Sequence, residues 1–556
     1  MRRLIKGAMA LALAVSLGAC LDLEVVNENL PDRRRALSDE ANVESILALS
    51  TWRRWYQPMH SLANVANSFP NIAGESSNTT LTLSVLWGQD PPQPFNNDEL
   101  VSQVWMPRHG YDQWSQCVSN ANDGLAQINE GMRIMTIDPG AEVVVDNTDR
   151  AWSWGKMWQG ICIGYLALQL DRFPLATEDL PLPERWEDLA EWERSSLTER
   201  NAKEHLQVAI DAIEKAIERM EQGAQWVTPE SWVHQQRYSN QEIIQLAHTM
   251  IARILIYSAR NPEERAQEVD WNKVLYHTER GLTYDWGPML ESGVITDPSY
   301  LARLNNTGTG SHRVNYQTIG PADQSGAYQN WIAIEPREDA ERFLIVTPDR
   351  RITGPTPTSN GSYIRYVTAT GGFLAERGRQ VWSWYGWHRR LNYQGANHLT
   401  GHFVKAGADE NRLYRAEALL RLGRVAEAVP LINVTRTREQ RVGTTVYPTN
   451  LPPLDPVTGS VPLVDGACVP RRTNGDCGDV WDALMYERDI ELMGIEPTRA
   501  WMDRRGFGQL RTGVWTELPI PARYLTSLRL PTYTFGGIGG ESSAVCTAPI
   551  TCRVNP

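Results

Sequence analysis

Residues 409–438 read DENRLYRAEALLRLGRVAEAVPLINVTRTR, and this stretch constrains the fold more than any other. Leu413, Ala416 and Leu420 recur at helical spacing and share one face. Gly423 then stands where a helix commonly ends in the left-handed conformation. Val425, Ala428 and Ile432 resume the period, so the stretch predicts two antiparallel helices joined by a tight turn. Pro430 lies within the second helix and either kinks it or delays its start. One such pair cannot bury its own apolar face and requires partner helices elsewhere.

The chain supplies partners of this tetratricopeptide-like kind. In residues 201–221, Leu206, Ile210, Ile213, Ile217 and Met220 form a seam with charged residues opposite, predicting one packed helix. Residues 241–260 and 271–280 continue the pattern, the first stopped by Asn261-Pro262 and the second by Gly281. Upstream, Ser38 is expected to cap a helix carrying Val43, Ile46 and Leu47; residues 97–132 and 152–170 are also expected to be helical. Helical pattern returns at 480–493. Between 287 and 407 the chain is rich in Gly, Pro, Asn, Thr and aromatics, without a 3.6 period. Such a length of loop inside a helical protein usually carries function. Within it, Tyr363-Ile364-Arg365-Tyr366-Val367 alternates like a short strand.

The first residues do not belong to the fold. Arg2, Arg3 and Lys6 precede an apolar run, Gly7 to Leu17, of 11 residues. At 1.5 Å per residue this is too short to span a bilayer, and it matches a secretory signal. Leu17-Gly18-Ala19-Cys20 resembles a bacterial lipobox, which implies cleavage before Cys20 and a diacylglycerol on its thiol. Several acyl chains on one cysteine anchor firmly where one does not. Leu21, rather than Asp, fits onward export to the outer membrane by analogy with known sorting rules. The alternative is ordinary cleavage after Ala19 with Cys20 free. The next residues, through 36, would be a polar tether.

The chain has 7 cysteines, so removing Cys20 leaves an even number in an oxidising compartment. Cys468 with Cys477, and Cys546 with Cys552, close short loops and are the natural local pairs. Cys117 and Cys162 would then pair across two helical segments. Metal binding competes with this reading, but no C-x-x-C and no nearby histidine favour it.

The formal net charge of -12, with no basic block after the leader, argues against nucleic acid as a partner. No H-E-x-x-H, G-x-S-x-G, Walker loop or G-x-G-x-x-G occurs, so neither a catalytic motif nor a cofactor site is read. His388, His398 and His402 cluster in sequence, but glycines around them argue against a helical metal site. Glu487 and Glu491 are carboxylates four apart; with Arg488 and Arg499 close by they read as ion pairs fixing a helix, not as an acid–base couple.

Binding is better placed in VWSWYGWHRRLNY, residues 381–393. It sets Trp382, Trp384, Tyr385, Trp387 and Tyr393 among His388, Arg389 and Arg390. Flat rings stack on sugar faces or peptide side chains, while adjacent polar groups bond hydroxyls or carboxylates. The competing account is a strand pair that packs these rings into the body. Trp87, Trp105, Trp114 and Trp331 are isolated and fit burial.

Taken together the residues resemble the RagB/SusD family of outer-membrane nutrient-uptake lipoproteins, over nearly the whole mature chain. The resemblance rests on the lipobox, on AEALLRLGR with the following helix, and on Glu487-Arg488-Asp489-Ile490-Glu491-Leu492. It also rests on Arg499, Asp503 and Arg504 followed by Leu518-Pro519-Ile520-Pro521. The sequence departs from the family where Glu496-Pro497-Thr498 precedes Arg499 and Gly494 is displaced; Asp171-Arg172-Phe173-Pro174 is a degenerate form of another family element. Asp349-Arg350 matches a further short one.

The resemblance implies a mainly α, SusD-like body with about four tetratricopeptide-like pairs. Its expected organisation is a signal peptide at 1–19, a lipidated tether at 20–36 and a single body at 37–556. In that body the helical scaffold covers about 37–286 and 408–494, the loop-rich ligand region 287–407 and an irregular C-terminal segment 495–556. It further implies a non-enzymatic, surface-exposed outer-membrane lipoprotein that binds an oligosaccharide, or an oligopeptide, and delivers it to a SusC-like TonB-dependent transporter. A lipid-anchored glycan hydrolase and an envelope scaffold without nutrient ligand are the competing classes.

Overall fold

The structure, a computed structural model, describes residues 33–59, 65–78, 92, 96–98, 105–138, 142–182, 189–190, 192–195, 201–291, 312–368, 382–389, 401–442, 445–534 and 542–552. The signal peptide, Cys20, Trp87, Arg390, Tyr393, His398 and the Trp105 side chain lie outside the described residues.

The scaffold is built from α1 (Trp105–Asn129), α2 (Thr148–Gln169), α3 (His205–Gln222), α4 (Asn240–Tyr257), α5 (Trp271–Glu279), α6 (Ala408–Arg421), α7 (Val425–Arg436) and α8 (Val480–Glu491). Each packs on the next in chain order, and α5 meets α6 although residues 280–407 intervene. The opening helix pair thus finds its partners, as the unburied face of a single pair requires. The seam of α3 is buried throughout, from Leu206 to Met220. Nearly every residue of α2 is buried, so it is the central element and shows no polar face. Gly160 lets α2 approach α3 closely: a Cβ there would lie 2.5 Å from the Ala209 carbonyl oxygen.

Local chemistry sets the ends. Ser239 and Glu242 form a reciprocal capping box on α4. Gly423 has φ +75, and the Arg424 N–H returns to the Leu419 carbonyl, closing α6 and turning the chain into α7. Pro430 is accommodated inside α7. Arg505 is fully buried and donates to the Leu168 and Tyr257 carbonyls at 2.7 Å each. It thereby satisfies the C-terminal ends of α2 and α4 together.

Five boundaries differ from the sequence reading. Helix begins at Arg33, inside the expected tether. Asp39, not Ser38, is the cap: its carboxylate accepts from the Asn42 N–H, whereas the Ser38 hydroxyl donates back to Arg35. Asn97 is not helical; its side chain bonds the Ile520 and Tyr533 carbonyls. The C-terminal segment contains a further helix, α9 (Arg499–Phe507), and a short one at Ala522–Ser527. Asn261-Pro262 does more than stop α4: Asn261 caps a new helix, Pro262–Gln267.

Strands are short. Among the described residues they form five two-stranded antiparallel sheets, including Ser76–Asn78 with His312–Val314 and Ile364–Tyr366 with Tyr385–Trp387. All three expected cysteine pairs are bonded: Cys117–Cys162 between α1 and α2, Cys468–Cys477 and Cys546–Cys552.

The two sequence elements around 171 and 518 meet. The Leu518 N–H donates to the Gln169 carbonyl at 2.7 Å, and the Asp171 N–H donates to the Leu518 carbonyl at 2.9 Å. Burial raises the Asp171 carboxyl to about 6, despite the Tyr533 hydroxyl donated to it. Its folded pKa therefore lies above the ordinary value of 3.8, so its stabilising share is complete below pH 3.8 and is lost as pH rises through about 6. Asp171→Asn should gain on the parent across this window, by about 2 kcal/mol, when melting is followed from pH 4 to 8. A difference between the two chains that does not vary with pH would contradict the assignment.

Candidate functional site

The aromatic stretch is carried by the pairing of Ile364 with Trp387 and Tyr366 with Tyr385. This ribbon is covered on both sides, so its rings do not alternate between core and solvent. Trp382 and Tyr385 are fully buried and Trp387 nearly so. The Tyr385 hydroxyl accepts from the Ile345 N–H and donates to the Pro357 carbonyl. Trp382, Tyr385 and Trp387 are thus core residues in this structure, a correction to their reading as ligand contacts. Trp384 alone of the described candidates is only partly buried, and it packs against the core.

Around Trp384, at the edge of the core, a cluster of rings and guanidinium groups forms. The Arg342 guanidinium lies 3.7 Å from the centre of its ring, and Tyr366 stands 6.1 Å away. Beneath, Arg313 covers the ring of Trp382 at 4.8 Å. Arg365, on the paired strand, is also buried.

A cavity of about 510 Å³ opens nearby, lined by Trp331, Glu335, Arg337, Glu338, Arg511 and Gln317 among others. Arg337 holds its guanidinium 4.4 Å from the Trp331 ring. The Gln317 side chain lines the cavity, but its Oε1 is fully buried beside Gly74 and has no hydrogen-bond partner among the described residues. Tyr316 links cavity and cluster. Its ring packs on Trp331 at 5.3 Å and stacks on Phe343 at 4.0 Å, next in sequence to Arg342. Sequence reasoning named Trp331 as an isolated core ring and missed the cavity, because Gln317, Arg337 and Arg511 share no spacing.

The remaining candidates have structural partners. Glu487 and Glu491 are fully buried and both bond Arg351. Glu491 also meets Arg389 at 2.8 Å and Arg438 at 3.3 Å. Arg488 bridges Glu417 and Asp503, and Arg499 reaches Glu75. The network therefore ties α8 to several segments, not only to the loop after it. His388 Nε2 faces the Gly361 carbonyl and His402 Nε2 the Gly287 carbonyl. Among the described residues no cluster of three metal-ligating side chains occurs.

No family model and no curated protein matches the sequence. Solved structures do match. A SusD superfamily protein from Parabacteroides distasonis aligns over 85% of this chain and 88% of its own, with a TM-score of 0.52 at 10% identity. A SusD-like carbohydrate binding protein from Bacteroides vulgatus covers 93% and 95% at a TM-score of 0.49 and 13% identity. A surface glycan-binding protein A from Bacteroides uniformis covers 89% and 94% at 0.43 and 13%. The chain has the SusD-like fold: mainly helical, with short two-stranded sheets.

Proposed function

We propose that this protein is a lipid-anchored outer-membrane protein of the cell surface that captures oligosaccharides on its loop-rich face. It passes them to a SusC-like TonB-dependent transporter and performs no chemistry on them. The observation that carries the reading is the SusD-superfamily fold shared with the Parabacteroides distasonis protein over most of both chains. The lipobox-like end at Cys20 supports anchoring. The cavity lined by Arg337, Glu338 and Arg511 supports a sugar ligand, since it gathers polar groups that can bond hydroxyls beside the edge of Trp331. The hydrolase alternative gains nothing from Glu487 and Glu491, whose carboxylates are engaged by arginines.

One variant separates anchoring from binding. Cys20→Ala should leave the outer-membrane fraction while, once purified, it retains an oligosaccharide identified by calorimetry against a glycan and peptide panel. Persistence in the membrane sinks the anchor; retention of peptides alone sinks the sugar reading.

A further inference from the structure

The small sheet between α1 and α2 carries an inference that rests on the lipid-anchored reading and extends it. Its strands are Met135–Thr136 and Val145–Asp146, and on or beside them stand Met135, Ile137, Val143, Val144 and Val145. These five apolar side chains are between 41% and 69% exposed. The register sets Thr136 opposite Val145, which brings the two runs side by side. Elsewhere among the described residues, exposed large apolar side chains stand singly or in local groups of three at most. Single ones are ordinary on a surface, whereas a gathered patch marks a contact.

What covers the patch follows from where the chain enters the fold. The Met135 N–H donates to Glu40 at 3.2 Å and the Thr136 hydroxyl to Glu44 at 2.7 Å, both on the helix Glu40–Ser45. Ile134, just before the sheet, is buried with Val43 and Leu47. The first described residue, Arg33, follows Cys20 by 13 residues. Fully extended, that length of chain spans at most about 45 Å. A lipid on Cys20 therefore holds a leaflet close to this sheet, and tethering makes even a weak second contact intramolecular. The charges here are compatible with phosphate headgroups. Arg33, Arg35 and Arg133 are exposed, and Glu142 is an exposed acid among them. Asp123, Asp138 and Asp146 are bonded to Arg33, Arg150 and Arg133 in turn. Guanidinium groups at such a rim suit phosphate.

We propose that this sheet is a second membrane contact. Met135, Ile137, Val143, Val144 and Val145 enter the boundary between headgroups and acyl chains of the leaflet that holds the Cys20 lipid. There the apolar side chains leave water, while the arginines stay among the headgroups. Lipid and sheet together hold the body at one tilt, where a tether alone lets it swing.

The test uses the full lipidated chain in vesicles of phosphatidylethanolamine and phosphatidylglycerol. An environment-sensitive fluorophore is placed on Val144→Cys and, as a control, on Val457→Cys, an exposed position in the loop against α7 and α8. Emission from position 144 should shift to the blue and be quenched by lipid-borne nitroxides at least about threefold more than at position 457. Adding Ile137→Ser and Val145→Ser should reverse both effects and leave the melting temperature in place. A vesicle-bound chain whose position 144 stays in water overturns the contact while the anchor stands. A blue shift without nitroxide quenching, or one that appears without vesicles, also overturns it, because a second copy or the chain's own tether is then the cover. So does cover that appears only in whole outer membranes, which assigns the patch to a protein neighbour. A chain that does not float with the vesicles overturns the anchor and the contact with it.

Discussion

Arg351→Met is expected to lower the stability of this chain by about 3–5 kcal/mol, the range for breaking a buried ion pair from one side. Arg351 is 1% exposed and stands among three carboxylates that are wholly buried. Its Nη1 lies 2.7 Å from Glu487 and 3.0 Å from Glu491, and its Nη2 lies 2.8 Å from Asp349. Methionine fills the volume of the stem but leaves those charges behind. Among the described residues, Glu487 would keep Arg436, at 4.0 Å, and Asp349 the Tyr486 hydroxyl and the backbone N–H of residue 351. A loss of this size is a large part of the 5–15 kcal/mol typical of a whole domain. It should appear as a markedly lower urea midpoint or as failure to accumulate. Arg424→Ala, which breaks an exposed pair with Glu427, should leave the midpoint unchanged. If the two variants unfold together, the hub does not hold the fold.

The same hub marks what the sequence could and could not say. The helices were legible because burial of one face writes a 3.6 period into the chain, as at Leu206 to Met220. That the charges of α8 sit in ion pairs was legible, but Glu487 and Glu491 bond Arg351, while Arg488 and Arg499 turn to Glu417 and Glu75. The main partner of the two carboxylates was not legible. Arg351 lies 136 residues before Glu487 in the chain, in a region without period. The short element at Asp349-Arg350 pointed one residue short of it, and Arg350 instead donates to the Thr347 and Gly354 carbonyls.

The aromatic stretch shows the complementary failure. A ring's usefulness to a ligand depends on what covers it, and cover comes from remote segments. Trp382 is covered by Arg313, and the Tyr385 hydroxyl is engaged by Ile345 and Pro357. None of these neighbours can be read from residues 381–393. Trp384 is only partly buried, with Arg342 over its ring and Tyr366 beside it. Helix ends failed for a smaller reason: Ser38 and Asp39 are both good caps, and here it is the Asp39 carboxylate that reaches a free N–H, that of Asn42.

Removing the Cys117–Cys162 bond by a double alanine substitution should cost about 4 kcal/mol, more than removing either of the other two bonds. Its sequence separation is 45, against 9 for Cys468–Cys477 and 6 for Cys546–Cys552. In the chain-entropy picture the constraint on the unfolded state grows with the logarithm of the loop, which gives about 4 kcal/mol here and about 2.5 kcal/mol for each short loop. Position adds to length. Cys117 and Cys162 are wholly buried where α1 meets α2, whereas the Cys546–Cys552 pair belongs to a small cluster with Met485, Ala548 and Ile550. Denaturant midpoints of the three double variants, measured without reductant, should therefore rank with Cys117/Cys162 lowest. Equal losses in all three would mean that loop length is not the controlling quantity. A larger loss from Cys546/Cys552 would place the weak point of the fold at the C-terminal strap beside the cavity instead of in the first helix pair.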